Sequence, residues 1–93
     1  PLGNAFYFNE AATLTNKEED WSKSGNRFYA LVGRAPSEDI KSYLIESALN
    51  AYNKALSFDT TNVQYKLQIA ACYVESGANP MQGITMLLDI VKR

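Results

Sequence analysis

The residues that could do chemistry in this chain are few, and most of them are carboxylates. The chain has ten Asp and Glu residues, nine Lys and Arg residues, one cysteine and no histidine. Without histidine it lacks the commonest general base and the commonest metal ligand. Cys72 has no second cysteine for a disulfide and no histidine to complete a zinc site. Within Ile-Ala-Ala-Cys-Tyr-Val, we interpret it as a small buried hydrophobe.

Two acidic clusters could imitate cation sites, namely Glu18-Glu19-Asp20 and Glu38-Asp39. Each falls in the first turn of a predicted helix, where the helix dipole favours anions. The start of a helix therefore explains both clusters without a metal. No Gly-rich phosphate loop, Ser–His pair or paired catalytic carboxylates can be assembled from this sequence. We expect no enzyme activity, no cofactor and no metal.

The amino-acid composition and net charge indicate which classes of binding partner to expect. The chain is 46% apolar and 20% charged, which is ordinary for a globular protein, and its 93 residues allow one domain at most. The net charge is −1 with interspersed signs, so we predict no nucleic-acid binding. No apolar run approaches the roughly 18 residues of a membrane-spanning helix, and we predict no membrane segment. Because the first residue is Pro1 rather than Met, we expect a fragment or a processed product; the compartment stays undetermined.

Apolar residues recur at three- and four-residue steps, which predicts five amphipathic helices. These helices span about residues 4–14, 17–34, 37–58, 62–76 and 80–92. The apolar face of the first consists of Ala5, Phe8, Ala11, Ala12 and Leu14. The third carries a broad apolar stripe that begins at Ile40 and Tyr43. No segment alternates with a period of two, so no strand is expected.

Cap and turn residues separate the predicted helices. Thr15-x-x-Glu18 has the form of a capping box for the second helix. Ser37 and Asn62 are the expected N-caps of the third and fourth helices. Gly77 suits the left-handed position after the fourth helix, and Asn79-Pro80 is typical of a helix start. The chain should therefore turn back on itself at each of these points.

One helical pattern occurs three times. Its clearest copy is Ala48-x-x-x-Tyr52-x-x-Ala55-Leu56. Phe8-x-x-Ala11-Ala12 is an earlier copy, and Gly83-x-x-x-Leu87-x-x-Ile90-Val91 is a later one. Three copies of one amphipathic helix indicate a stack of helical hairpins, in which Phe8, Tyr52 and Leu87 have equivalent roles.

This pattern resembles the tetratricopeptide repeat, a helix–turn–helix unit of about 34 residues. The aromatic–small–aromatic signature of its first helix matches Trp21-x-x-x-Gly25-x-x-Phe28, and Lys66-x-x-Ile69-Ala70-x-x-Tyr73 matches at its last three positions. The Ala48–Leu56 copy resembles its second helix, although Asp59-Thr60 replaces the usual Asp-Pro. The stretch from Tyr73 to Thr85 is similar to bacterial multi-repeat members. The resemblance implies an all-α right-handed stack of about five antiparallel helices, a fragment of a tetratricopeptide α-solenoid.

Two features of the predicted hairpins follow from this comparison. More residues separate Phe28 from Ala48 than separate Tyr73 from Gly83, so the second and third helices should be longer and their hairpin should protrude. Gly25 in mid-helix costs about 1 kcal/mol relative to Ala. We therefore expect a neighbouring helix to approach it too closely for a side chain.

The resemblance also implies a protein-binding scaffold. Arrays of this family bind extended peptides on a concave surface that the first helices line. That surface would here contain Glu19, Ser22, Asn26 and Tyr29 from the second helix, with Gln64, Leu67, Ala71 and Glu75 from the fourth. Asn26 matches a residue with which some members hold a peptide's terminal carboxylate, but Ser22 replaces their lysine. The alternative is that these are ordinary solvated positions.

The phasing of the repeats implies a piece that starts and stops within an array. The outer face of the fifth helix, with Ile84, Leu88 or Val91, should then be uncovered, and we expect copies to associate through it as a homo-oligomer. One rival interpretation is a structural spacer or self-association segment with no ligand of its own. Another is an unrelated helical bundle, such as the ligand domain of a regulator.

Overall fold

Five α-helices make up the computed structural model, which describes residues 2–76 and 80–91, with the side chains of residues 7, 9–76 and 81–90. The helices are α1 (Leu2–Thr15), α2 (Glu18–Val32), α3 (Glu38–Phe58), α4 (Val63–Ser76) and α5 (Pro80–Val91). The described residues contain no strand. The prediction of an all-α chain with five helices is confirmed.

The connection between α1 and α2 differs from the prediction. Asn16 has a left-handed φ of 52°, and its N–H donates to the carbonyl of Ala12 at 2.7 Å. This is a common way to end a helix, and Asn tolerates the conformation better than most residues. Thr15 therefore lies in the last turn of α1, and Lys17 is the N-cap of α2, without a side-chain cap bond. The capping-box prediction is wrong, and the Thr15 hydroxyl donates to the Asp20 carboxylate instead.

The caps of the third and fourth helices are confirmed. Ser37 Oγ accepts a hydrogen bond from the N–H of Ile40 at 3.3 Å. Asn62 Oδ1 accepts one from the N–H of Tyr65 at 3.1 Å. Caps of this kind typically stabilise a helix by about 1 kcal/mol each. The predictions for Gly77 and Asn79 fall outside the described residues.

Each helix packs against the next along the chain. The larger apolar cluster joins α2, α3 and α4, and consists of Phe28, Val32, Leu44, Ile45, Ala48, Tyr52, Ile69 and Cys72. A smaller cluster brings α1 into the core and consists of Ala12, Trp21, Ala51 and Ala55. Both α2 and α3 contribute to both clusters, so these two helices together form the centre of the fold.

Two buried glycines leave space that atoms of a neighbouring helix occupy. A Cβ atom added to Gly25 would lie 2.8 Å from a ring carbon of Tyr52, which is only 1% exposed. A Cβ added to Gly83 would lie 2.6 Å from the carbonyl oxygen of Ala70 on α4. The expected close approach at Gly25 is confirmed, and Gly83 has the same role in the contact between α4 and α5.

Several apolar residues lie outside the core, contrary to the helical pattern. Leu14 is 82% exposed, because it lies about 200° around the helix from the buried Ala12. Ile40 and Tyr43 are also exposed, near the turn that joins α2 to α3. The side chains of Ala5 and Phe8 are outside the described set. Within residues 2–76 and 80–91, no helix has the length and apolar character needed to cross a membrane.

Candidate protein-binding surface

A direct hydrogen bond joins α2 to α4, two helices that are not consecutive in the chain. The Tyr65 hydroxyl donates to Glu18 Oε2 at 2.8 Å. Burial and the bond to Glu18 raise the pKa of Tyr65, and a hydrogen bond from Ser22 partly offsets the increase. The first half of α2 and the first half of α4 therefore lie side by side.

The later halves of the same two helices also lie close together. Burial raises the pKa of Tyr29 on α2, and the charges of Glu75 and Cys72 on α4 raise it further. Tyr29 therefore lies near the last turns of α4, just as Glu18 lies near its first turn. The Glu18–Tyr65 hydrogen bond and the electrostatic influence of Glu75 on Tyr29 both link α2 with α4.

The predicted site residues occupy the accessible sides of α2 and α4. On α2, Glu19 and Asn26 are exposed, whereas Ser22 and Tyr29 are half-buried. Glu19 forms a surface ion pair with Lys23 at 3.0 Å. The residues predicted on α4 divide in the same way, with Gln64 and Glu75 exposed and Leu67 and Ala71 half-buried. The structure brings Tyr29 near Glu75 and brings Ser22 into contact with Tyr65. Tyr65 was not among the predicted site residues, and sequence reasoning missed its polar contacts.

A hydrogen bond joins the exposed residue Asn26 to the core of the molecule. The Oδ1 atom of Asn26 accepts a hydrogen bond from the hydroxyl of Tyr52 on α3 at 2.7 Å. The close approach of Tyr52 to Gly25 brings the ring under α2, one residue away from Asn26. Burial raises the pKa of Tyr52, so the hydroxyl remains a donor at neutral pH. The Asn26 amide nitrogen can still donate to a ligand.

A groove on α2 extends the candidate surface beyond the predicted residues. Lys23, Asn26, Arg27 and Ala30 line a space of about 430 Å³. All four residues are exposed on one face of α2, and Lys23 is paired with Glu19 at 3.0 Å, so the space is an open surface depression beside Asn26 and Arg27. Sequence reasoning identified only Asn26 here. The spacing of three and four residues between the lining positions could have shown that they share one helix face.

Cys72 is fully buried, and burial raises the pKa of its thiol to about 12. A thiol in this state is a poor nucleophile and a poor metal ligand. Its interpretation as a buried hydrophobe is confirmed. The described residues contain no group of three or more Cys, Asp or Glu side chains that could hold a metal ion.

Comparisons of this chain with protein-family models, curated proteins and solved structures found no match. The resemblance to the tetratricopeptide repeat therefore rests on the residue pattern.

Proposed function

We propose that this chain is a protein-interaction module, a piece of a tetratricopeptide-like array that binds an extended peptide or a partner protein on α2 and α4. The observation that carries this proposal is the Tyr65–Glu18 hydrogen bond, which holds the two helices side by side. In an array of helical hairpins, the first helices of successive hairpins form one continuous face.

The direction of the helices supports a stack of antiparallel hairpins. Helices that alternate in direction leave every second helix parallel, and Tyr65 near Glu18 with Glu75 near Tyr29 fits this order for α4 and α2. The smallest dimension of the backbone is 14 Å. Two helix layers with axes 8–10 Å apart and Cα atoms about 2.3 Å from each axis would measure roughly 13–15 Å. We therefore infer a two-layer arrangement with α2 and α4 in one layer and α3 in the other.

The side chains on this face suit a peptide with polar and acidic groups. Asn26 offers an amide donor and Arg27 adds positive charge beside it, while Lys23 is paired with Glu19. Tyr29 offers aromatic area at low conformational cost, as tyrosines do in many protein interfaces. The proposed contact residues are Glu19, Ser22, Asn26, Tyr29, Gln64, Leu67 and Ala71. In this proposal, shape complementarity and side-chain contacts provide the affinity, and no reaction of the ligand is involved.

A binding assay with selected peptides tests this proposal. A fluorescein-labelled peptide, selected on the intact chain from a random 12-residue display library, is titrated by fluorescence anisotropy. Asn26→Ala and Tyr29→Ala should each weaken binding by about tenfold or more if they belong to the few residues that dominate an interface. Asn53→Ala, which changes an exposed asparagine on α3, is the matched control and should bind like the parent.

The result that would overturn the proposal is equally concrete. Circular dichroism first establishes that each variant is folded. If no peptide is selected, or if both variants bind as tightly as the parent, the surface of α2 and α4 is not the binding site. The rival interpretation of a spacer without a ligand would then be favoured.

Exposed apolar side chains on α5 favour self-association as the second candidate. Met81, Ile84 and Leu88 are 68%, 42% and 58% exposed. The side chain of Val91, which the sequence also indicated, lies outside the described residues. We propose that two or more copies bury this face against each other, because the removal of apolar surface from water lowers the free energy of the associated state.

Sedimentation velocity over a range of protein concentrations tests this second proposal. The parent should show a concentration-dependent dimer or larger species, and Leu88→Glu should reduce it strongly. Val63→Glu, at an exposed apolar position on α4, is the matched control and should leave association unchanged. A parent that sediments as a monomer at every concentration would contradict association through α5.

A further inference from the structure

A small apolar pocket lies at the turn that joins α2 to α3, apart from the proposed peptide-binding residues. It has a volume of about 170 Å³ and is lined by Leu31, Arg34, Pro36, Ile40 and Leu44. Leu44 is buried, whereas Ile40 is partly open to solvent. Nearly all of the lining surface is apolar. The hairpin thus presents a hydrophobic cavity at a position where solvent has access.

The turn between the two helices holds this pocket in shape. The N–H of Arg34 donates to the carbonyl of Leu31 at 3.0 Å, and the N–H of Ala35 donates to that of Val32 at 3.3 Å. Pro36 has a fixed φ angle, and Ser37 caps α3 directly after it. A pocket whose walls are ordered before binding loses little conformational entropy when it is filled.

The size of the pocket favours one side chain of a larger partner. Sites for small-molecule ligands usually measure about 300–1,000 Å³, which is well above this volume. A single Leu- or Phe-sized side chain fills a space of this order. Protein partners concentrate their affinity in such anchors, which enter small apolar pockets.

A charged residue at the pocket indicates which second group a partner should carry. Arg34 is the one charged residue among the described lining residues, and it is exposed. No carboxylate in the described part of the chain forms an ion pair with it. Glu38 and Asp39 occupy the first turn of α3 and do not line the pocket. Because a guanidinium group binds a carboxylate through two parallel hydrogen bonds, Arg34 suits an acidic group beside the apolar anchor.

We propose that this pocket is a docking site for a peptide segment of a partner protein, in which a Leu or Phe side chain lies next to an Asp or Glu. The apolar side chain packs on Leu44 and Ile40, and the carboxylate pairs with Arg34. None of the residues that line this pocket belongs to the proposed contact residues on α2 and α4.

Nuclear magnetic resonance titration tests the proposal, because it detects weak binding and locates it. The probe is the peptide Gly-Ser-Leu-Glu-Ser-Gly with blocked ends, added to the ¹⁵N-labelled chain. The backbone amides of Leu31, Arg34 and Ile40 should shift in a saturable way. Replacing Leu by Ala in the probe should weaken binding on the order of tenfold to a hundredfold, the equivalent of burying one leucine. Replacing Glu by Gln should weaken it about two- to fivefold, as for an exposed ion pair.

Variants of the chain assign the two parts of the interaction. Arg34→Gln should weaken binding of the Glu probe about two- to fivefold and leave binding of the Gln probe unchanged. Lys54→Gln, which removes an exposed positive charge from α3, is the matched control and should have no effect.

Three outcomes would overturn the proposal. The first is a titration in which the amides around the pocket do not shift. The second is equal weakening by Arg34→Gln and Lys54→Gln, which would indicate a general charge effect. The third is the observation of nuclear Overhauser effects between Ile40 and residues 1–6, with no response to the probe, because the chain itself would then fill the pocket.

Discussion

The two hairpins α2–α3 and α4–α5 both contain a close contact at a glycine. They differ in how much of their apolar surface other helices bury. In both, a glycine lets two helices approach closely, at Gly25 in the first and at Gly83 in the second. The first hairpin lies between α1 and α4, and Phe28 and Tyr52 are almost fully buried in it. In the second, Leu88 on α5 is mostly exposed. A glycine contact therefore brings two helices together, but only further neighbours remove their apolar surface from water.

The largest effect that distinguishes the hairpins should come from truncating one apolar side chain in each. Phe28→Ala should lower the free energy of unfolding by about 3–5 kcal/mol, because it leaves a cavity in the core. Leu88→Ala should change it by no more than about 0.5 kcal/mol, as expected for an exposed position. Urea denaturation at low protein concentration measures both. A loss at Leu88 comparable to that at Phe28 would mean that α5 is covered in solution.

Alanine substitutions at the glycines should change the free energy of unfolding by an intermediate amount. Whether a substitution destabilises or stabilises the chain depends on the space around that glycine. Gly25→Ala and Gly83→Ala should each destabilise the chain by about 1–3 kcal/mol, because the added methyl overlaps atoms of the neighbouring helix. Gly33 is the matched control, since its φ is −68° and a methyl group added there would meet no atom within 4 Å. Gly33→Ala should be neutral or stabilise the chain by up to about 1 kcal/mol.

Hydrogen exchange refines the comparison between the two glycine variants. Gly83→Ala should increase exchange mainly in α5, whose main packing partner among the described residues is α4. Gly25→Ala should increase exchange in both α2 and α3. If either variant matched Gly33→Ala in stability, the close helix approach at that glycine would be wrong.

Alkaline pH should produce the smallest effect, and it should arise in the cluster that joins α2, α3 and α4. Burial raises the pKa of the Cys72 thiol from 9.0 to about 12. Above about pH 9 the unfolded chain releases this proton and the folded chain retains it. The contribution of this thiol to the free energy of unfolding is therefore fully present below about pH 9. It decreases as pH rises, by at most about 1.4 kcal/mol per pH unit. Urea denaturation between pH 8 and pH 10 measures the slope.

Cys72→Ala separates the thiol from other groups that titrate. The variant should be less stable at pH 8 because it is smaller, but its stability should decline less steeply with pH. The raised pKa of Tyr52 contributes a similar decrease that begins near pH 10 and persists in the variant. Equal slopes for parent and variant would contradict the proposed burial of the thiol.

Local sequence patterns predicted much of the fold. Ser37 and Asn62 were identifiable as caps because a cap depends on residues within one helical turn. Gly25 was informative because glycine is unfavourable inside a helix unless space requires it. Thr15 shows the limit of such patterns. Its capping-box sequence was correct in form, but the left-handed turn at Asn16 kept Thr15 within α1.

The candidate surfaces were harder to predict because they depend on residues far apart in the chain. The Tyr65–Glu18 bond spans 47 positions, and no local pattern indicates it. The pocket beside Arg34 requires Leu31 and Leu44 to meet across a turn whose conformation the sequence did not specify. The resemblance to the tetratricopeptide repeat indicated which residues of α2 and α4 would line a surface, but it did not show which side chains on them make hydrogen bonds.

The bond between Asn26 and Tyr52 gives the middle of the molecule a direct link to its outer face. A ligand that displaced the Asn26 oxygen would leave a phenol hydroxyl in an apolar interior without that acceptor. The energetic penalty for such a group means that the ring of Tyr52 would have to adjust or find a new acceptor. Occupancy on the exterior of α2 would then be detectable at α3, through the resonances of a tyrosine that the ligand itself does not contact.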